Sequence, residues 1–244
     1  MVGDMENTAE VAAAKSALRT RVRRLRNLRV RSGGHPGEPV PRRVRDDAIV
    51  SHLIEELDRR DPARTGAVGA YSPLPGEPGG SDLPEQLART GREVWLPVVD
   101  APGEELRWAR WRGDAASRTG AYGIREPAPG SDDAAGPAGG WAADIAAAAD
   151  VTARSLLPGL VCLLIPCLAV GPDGVRLGQG GGFYDRSLVS IPPDGSEHGK
   201  LLACVDHEEF GIPVPGTDLD VTVPAVVTDT GVFPTGRPAD HRHP

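Results

Sequence analysis

Residues 176–188, RLGQGGGFYDRSL, gather side chains and backbone that could together hold an anion. Gly178, Gly180, Gly181 and Gly182 fall within five positions; Arg176 precedes them, and Phe183, Tyr184 and Asp185 follow. Glycine lets backbone amides turn towards a ligand with no Cβ in the way. Amides at a helix start point at that ligand with the positive end of the dipole. A phosphate is the simplest occupant, and a purely structural tight turn is the competing reading. A fixed cation such as Arg176 strengthens the first. The run is neither of the two common nucleotide signatures: it lacks the Gly-Lys-Ser/Thr ending of a P-loop, and Phe183 stands where GxGxxG needs its third glycine. Asp185 would repel a phosphate unless a metal bridged them, and magnesium is usually held by one or two carboxylates plus phosphate oxygens. A plain helix N-terminal carboxylate is the other reading of Asp185. Asp220, at the end of an acidic loop, is the candidate second carboxylate.

A second group of candidates lies upstream. Lys15 and Arg19 are one turn apart on a predicted helix and could reach a polyanion from one face. Most of the other basic residues there (Arg21, Arg23, Arg24, Arg26, Arg29 and Arg31) read as a solvated helix surface. A nucleic-acid patch is the weaker third option, because no aromatics interleave with the charges. Glu77 sits in the loop SPLPGEPGG after a predicted strand, where α/β sheets bind ligands. A lone loop glutamate is otherwise just solvated. Tyr122, between glycines in TGAYGIREP, is either a stacking surface or a loop anchor. His52 beside an apolar stripe reads as a packing residue, and His241 and His243 as tail residues.

These residues need a frame. Leu18, Val22, Leu25 and Leu28 recur at spacings of three and four and predict a helix over 11–30 with one narrow apolar stripe. A second amphipathic helix is expected over 41–60 and a third over 83–90. Strands are expected over 65–71, 93–99, 106–111, 160–165, 200–205 and 221–228. The 160–165 strand is apolar on both faces, as a buried parallel strand must be. A short helix over 181–189 follows the glycine run, and a last short strand or turn begins at Gly231. Residues 128–149 are rich in Ala, Gly, Pro and Asp and read as a low-complexity insertion, with a short helix around 141–149. The resulting organisation is a flexible N-terminal tail over 1–10, one α/β domain over 11–233 and a flexible C-terminal tail over 234–244. Strands alternating with helices around a buried central strand predict a single three-layer αβα sandwich.

The whole chain of 244 residues is long enough for one sizeable core. Aromatics make up only 4%, so that core is mostly aliphatic. A formal net charge of −7 argues against a general nucleic-acid binder, although the basic residues are unevenly spread. Cys162, Cys167 and Cys204 are three in number and form no CxxC pair, which predicts reduced thiols and neither a disulfide frame nor a zinc site. No apolar run is long enough for a transmembrane helix and no signal peptide is evident, so a cytoplasmic protein without membrane partners is expected.

Residues 164–188, LIPCLAVGPDGVRLGQGGGFYDRSL, closely resemble the signature of the 5-formyltetrahydrofolate cyclo-ligase family. The likeness continues in order along most of the chain: KSALRTRVRR resembles the family's opening helix, AYSPLPGE its loop after the first strand, and REVWLPVV, YGIREP and AVVTDTGV match later segments. The resemblance implies a Rossmann-like fold with a mixed, mostly parallel sheet, akin to the CoA-transferase folds, and a monomer. It also implies ATP- and magnesium-dependent closure of 5-formyltetrahydrofolate to 5,10-methenyltetrahydrofolate, with ADP and phosphate released. Matched position by position, Lys15 and Arg19 would hold ATP phosphates together with the loop Arg176, Leu177, Gly178, Gln179, Gly180, Gly181, Gly182, Phe183 and Tyr184. Arg176 and Tyr184 would be the catalytic pair. Tyr71, Glu77 and Tyr122 would contact the folate with Gly180, Gly181, Gly182 and Phe183. Asp185 and Asp220 would hold magnesium.

The chain departs from the family pattern at several places. Gln179 stands where an aromatic or basic residue is common, Phe183 where tyrosine is usual, Gly171 where aspartate is common, and Leu219 where histidine precedes the aspartate. Two other functions therefore stand beside the enzyme: a non-catalytic folate- or nucleotide-binding descendant, and an RNA- or anion-binding module built on the basic helix.

Overall fold

In the computed structural model the described residues are 2–31, 40–101, 103–128, 151–217 and 219–236. The helix expected around 141–149, most of the insertion, and His241 and His243 lie outside them. In chain order the strands are β1 (Ala67–Gly69), β2 (Val94–Val98), β3 (Arg107–Arg110), β4 (Ser117–Thr119), β5 (Arg125–Pro127), β6 (Leu160–Pro166), β7 (Ala169–Val170), β8 (Arg176–Leu177), β9 (Leu201–Cys204), β10 (Ala225–Thr228) and β11 (Gly231–Pro234). The helices are α1 (Val2–Arg31), α2 (Arg42–Arg60), α3 (Leu83–Ala88), α4 (Ala153–Leu156) and α5 (Phe183–Leu188).

Seven strands form one sheet in the order β11-β10-β9-β6-β1-β2-β3. The five inner strands are parallel, and an antiparallel strand closes each edge. The sheet is mixed and mostly parallel, as expected. Its centre is β6, whose side chains alternate between two cores. Leu163 and Ile165 join Leu201 and Ala203 on one face; Cys162 and Leu164 join Leu202 and Cys204 on the other. α2 and α3 cover the second face through Ile49, Leu53, Leu57, Leu83 and Leu87. The first face is covered by the short α4 and α5 and by Trp108 of β3. β1 connects outward to β2 on one side, while β6 leads to β9 on the other. The strand order therefore reverses between β1 and β6, and a crevice at the carboxyl ends of these two strands is where ligands bind in open α/β sheets.

Two elements, α1 and β10, differ from expectation. α1 begins at Val2, so residues 2–10, expected as a loose tail, are helical. Residues 4–10 contain neither glycine nor proline, which favours extension of the helix. The apolar stripe expected on α1 is only partly its buried face. Val22 is buried and Leu18 half-buried, whereas Leu25 and Leu28 are 38% and 53% exposed and Arg26 is buried in their place. β10 starts at Ala225 rather than at residue 221, because Pro224 has no amide to give a ladder.

His52 behaves as a packing residue whose Nδ1 meets the Thr228 carbonyl at 3.0 Å. The three cysteines are buried and free, and burial pushes the Cys162 and Cys167 thiols up to about 12. Among the described residues no helix is long and apolar enough to cross a membrane.

Candidate active site

A cavity of about 380 Å³ opens at the reversal of strand order. Tyr71 and Ser72 reach it from the end of β1, Pro166 from the end of β6, and Pro97 and Val99 from the end of β2. Its walls are largely apolar, with Leu74, Leu106 and Ile124 among them. The polar groups are few: Glu77, Glu126, Gln179, Arg176 and Asp185.

The glycine loop forms one rim. It follows the small hairpin of β7 and β8, so Arg176 stands on a strand and is buried. Gly180 has φ +109° and Gly182 φ +65°, backbone that residues with a Cβ avoid. Gly182 is the N-cap of α5, and the Arg186 amide bonds back to its carbonyl. The amides between them have no partner within the helix and are free to face a ligand. A helix of six residues adds little dipole, so loop amides and side chains supply most of the attraction for an anion. Leu177 points away from this rim; it is buried with Val22 and Val214 beneath α1, so only its backbone belongs to the loop.

α1 lies across the loop. Arg19 Nε donates to the Gly178 carbonyl at 2.9 Å, and Lys15 Nζ meets Asp220 Oδ1 at 2.5 Å. Arg23 donates to both the side chain and the backbone carbonyl of Gln179. The anchor of the helix is Arg26, which donates to both oxygens of buried Glu209 and to the Cys167 carbonyl at the end of β6. Sequence reasoning placed Arg23 and Arg26 on a solvated surface. The signal that could have singled out Arg26 is its position four residues after Val22, on the same helix face.

The opposite rim is the loop that carries Glu77. Tyr71 Oη donates to the Pro78 carbonyl at 2.6 Å, so this hydroxyl holds the loop and only the ring lines the cavity. Asp46 of α2 accepts from the Gly79 amide at 2.9 Å. Glu77 Oε2 accepts from the Leu74 amide at 3.0 Å, and its Oε1 from Gln179 Nε2 at 2.9 Å.

Tyr122 caps the cavity from the connection between β4 and β5. It has φ +62°, is 61% exposed and meets the Phe183 ring edge-to-face with centroids 6.1 Å apart. Glu126, one turn of chain away and overlooked by sequence reasoning although YGIREP contains it, ties this connection to β2. It is fully buried, and its Oε1 accepts from the Val99 amide at 3.2 Å. Its Oε2 lies 3.5 Å from Arg118 and accepts no hydrogen bond.

Deeper in, Arg176 Nη2 donates to Asp185 Oδ1 at 2.7 Å, and its guanidinium lies 5.9 Å from the Tyr184 ring centroid. The Tyr184 hydroxyl is buried without a hydrogen-bond partner, and burial pushes its pKa well up, so it stays a protonated donor. Asp185 Oδ1 also lies 3.4 Å from the amide of Val221, which brings Asp220 and Asp185 to the same end of the site. Among the described residues no cluster of three or more His, Cys, Asp or Glu side chains is gathered for a metal. Asp185 and Asp220, paired here with Arg176 and Lys15, offer carboxylate oxygens, the ligand type that a hard cation such as magnesium takes. Gly171 and Leu219, two of the departures, stay out of the cavity wall; Leu219 is 76% exposed.

The sequence matches the model of the 5-formyltetrahydrofolate cyclo-ligase family over residues 147–229. It is 32% identical to the 5-formyltetrahydrofolate cyclo-ligase of Mycolicibacterium smegmatis over 166 residues, covering 66% of this chain and 72% of that one. The Escherichia coli K12 enzyme of the same name is 29% identical over 175 residues, covering 68% and 79%. Among solved structures, the 5,10-methenyltetrahydrofolate synthetase of Aquifex aeolicus superposes with a TM-score of 0.60 at 23% identity, covering 94% of this chain and 97% of that one. The Mycoplasma pneumoniae synthetase gives 0.55 at 16% identity, covering 88% and 98%. At these identities the two structures speak for the fold.

Proposed function

The chain belongs to the 5-formyltetrahydrofolate cyclo-ligase family, and from that premise we propose that it converts 5-formyltetrahydrofolate to 5,10-methenyltetrahydrofolate at the expense of ATP. The observation that carries this reading is convergence. The glycine loop and the Glu77 loop, far apart in sequence, line one cavity, and Arg19 and Arg23 of α1 bond the glycine loop at Gly178 and Gln179.

The chemistry is phosphoryl activation of a poor leaving group. The formyl oxygen attacks the γ-phosphorus of ATP, the bond to ADP breaks, and N10 adds to the activated formyl carbon and loses its proton. The carbon–oxygen bond then breaks and phosphate departs with the former formyl oxygen. No side chain acts as nucleophile, so positioning and electrostatics supply the rate. Lys15, Arg19 and the loop amides bind the phosphates. Arg176, held by Asp185 and set against Tyr184, is a preplaced cation for charge on the transferring group, and the Tyr184 hydroxyl is a donor with no other partner. Tyr122 and Phe183 cover the folate ring, whose N–H edge Glu77 accepts. Asp185 and Asp220 would hold magnesium, which when bound neutralises phosphate charge. In the free protein those two carboxylates neutralise Arg176 and Lys15, so nucleotide binding exchanges one set of partners for another.

The test is the ATP-dependent appearance of methenyltetrahydrofolate absorbance when the folded protein meets 5-formyltetrahydrofolate, ATP and magnesium. Binding of both substrates without any product would overturn the enzyme in favour of a binding protein.

A further inference from the structure

Gln179 is one of the positions at which this chain departs from the family pattern, and among the described residues its side chain joins the two rims of the cavity. Its Nε2 donates to Glu77 Oε1 at 2.9 Å. Its Oε1 accepts from Arg23 Nη2 at 2.8 Å and from Arg23 Nε at 3.2 Å, while Arg23 Nη2 also reaches the Gln179 carbonyl at 2.9 Å. The direction of this amide is decided by its neighbours. A guanidinium can only donate and an ionised carboxylate can only accept, so the oxygen must face Arg23 and the nitrogen Glu77. A phenylalanine at 179 could make neither bond. A basic side chain could bind Glu77 but would face Arg23 with a like charge.

Each oxygen of Glu77 accepts one hydrogen bond from the protein, Oε2 from the Leu74 amide and Oε1 from Gln179. A carboxylate has about four acceptor positions. The two protein donors thus fix the plane of the carboxylate and leave a second lone pair on each oxygen for paired N–H donors of a ligand. We propose that Arg23, acting through Gln179, is a positioning residue for folate: it orients the Glu77 carboxylate and makes folate affinity depend on the docking of α1. The proposal rests on the reading of Glu77 as the acceptor for the folate ring. It sets Arg23 apart from Arg19 on the same helix, which contacts the glycine loop at Gly178.

The experiment is a calorimetric titration of 5-formyltetrahydrofolate into the full chain without ATP, and separately of a non-hydrolysable ATP analogue with magnesium. The variants are Arg23→Ala, Arg23→Lys, Gln179→Ala and the double Arg23→Ala/Gln179→Ala. Arg23 and Gln179 are exposed, so these variants retain the fold. Each single alanine variant is expected to weaken folate binding about fivefold, less than the loss of a charge-assisted hydrogen bond to the ligand itself, because the bond removed only orients Glu77. The double variant is expected to be no worse than either single one, because the two residues act in series. Lysine at 23 recovers only part of the affinity, lacking the two-point contact. The ATP analogue binds Arg23→Ala and Arg23→Lys as it binds the unmodified chain. Unchanged folate affinity in the single variants, multiplicative losses in the double variant, or a loss confined to the nucleotide would each overturn the role of Arg23 while leaving the function standing. Failure of the unmodified chain to bind 5-formyltetrahydrofolate would instead overturn the function, and this inference with it.

Discussion

Lys15 and Asp220 lie 205 positions apart and meet as an ion pair. Burial alone would raise the Asp220 pKa. The Lys15 ammonium and the two donors of Thr217 outweigh it, so the carboxyl sits below the usual aspartate range. A folded-state pKa below the unfolded value gives stability that is present above the unfolded pKa, near ~4 for aspartate, and lost as pH falls through the folded value. Asp220→Asn is therefore expected to destabilise the unliganded protein at pH 7 by no more than ~1 kcal/mol, since the pair is partly exposed. The deficit should shrink below pH ~4 as Asp220 of the parent protonates. Urea midpoints of both proteins at several pH values check this, and a deficit that persists at low pH would point to packing instead. The same residue is the proposed magnesium ligand, so its modest structural worth matters: the pair can be given up to a metal and a phosphate at small cost.

At the scale of elements, α1 is the decisive case. A 30-residue helix with one narrow apolar stripe has little to hold it against a globular body by hydrophobic burial alone. Val22 and Leu18 supply the apolar contact, and Arg26 with Glu209 supplies a buried, two-point ion pair that fixes rotation about the helix axis. Arg19 and Arg23 then meet the glycine loop and Lys15 meets Asp220, because the three share that side of the helix. Removing one partner of a buried pair leaves the other charge stranded, typically at about 3–5 kcal/mol. Arg26→Ala is expected to fall in that range in chemical denaturation. A double replacement, Arg26→Met with Glu209→Met, should cost clearly less than the sum of the two single changes. A loss below about 1 kcal/mol for Arg26→Ala would mean that apolar contact docks the helix.

For the molecule as a whole, the reversal of strand order places the glycine loop and the Glu77 loop, to which the proposed function gives different tasks, on the rims of one cavity. Each substrate should therefore stabilise the fold by itself. At a hundred times its dissociation constant a ligand adds about 2.7 kcal/mol, which for a domain of this size raises the melting temperature by roughly 5–10 °C. Arg19→Ala is expected to lose most of the shift given by an ATP analogue and keep that given by folate; Glu77→Ala should do the reverse. Thermal melts with each ligand separately read this out. Equal loss of both shifts in both variants would refute the division into two half-sites.

The sequence by itself determined the parallel core, because β6 is apolar on both faces and only a strand covered on both sides tolerates that. It also determined the glycine rim, since Gly180 and Gly182 occupy backbone conformations that other residues avoid and their clustering is visible in one dimension. Motif spacing, with the likeness it carries, was enough to name the family. The tertiary structure decided what spacing cannot encode. Helical periodicity located an apolar stripe on α1, but which face turns inward depended on Glu209, 183 residues away. Glu126 looked like any acid before a proline until the fold buried it, and Tyr71 turned out to spend its hydroxyl on a loop rather than a ligand. Gln179 read only as a departure from a pattern. Its partners, Arg23 and Glu77, are 156 and 102 positions distant, and hydrogen bonds between such residues exist only once the sheet has brought the ends of β1 and β8 and the length of α1 together.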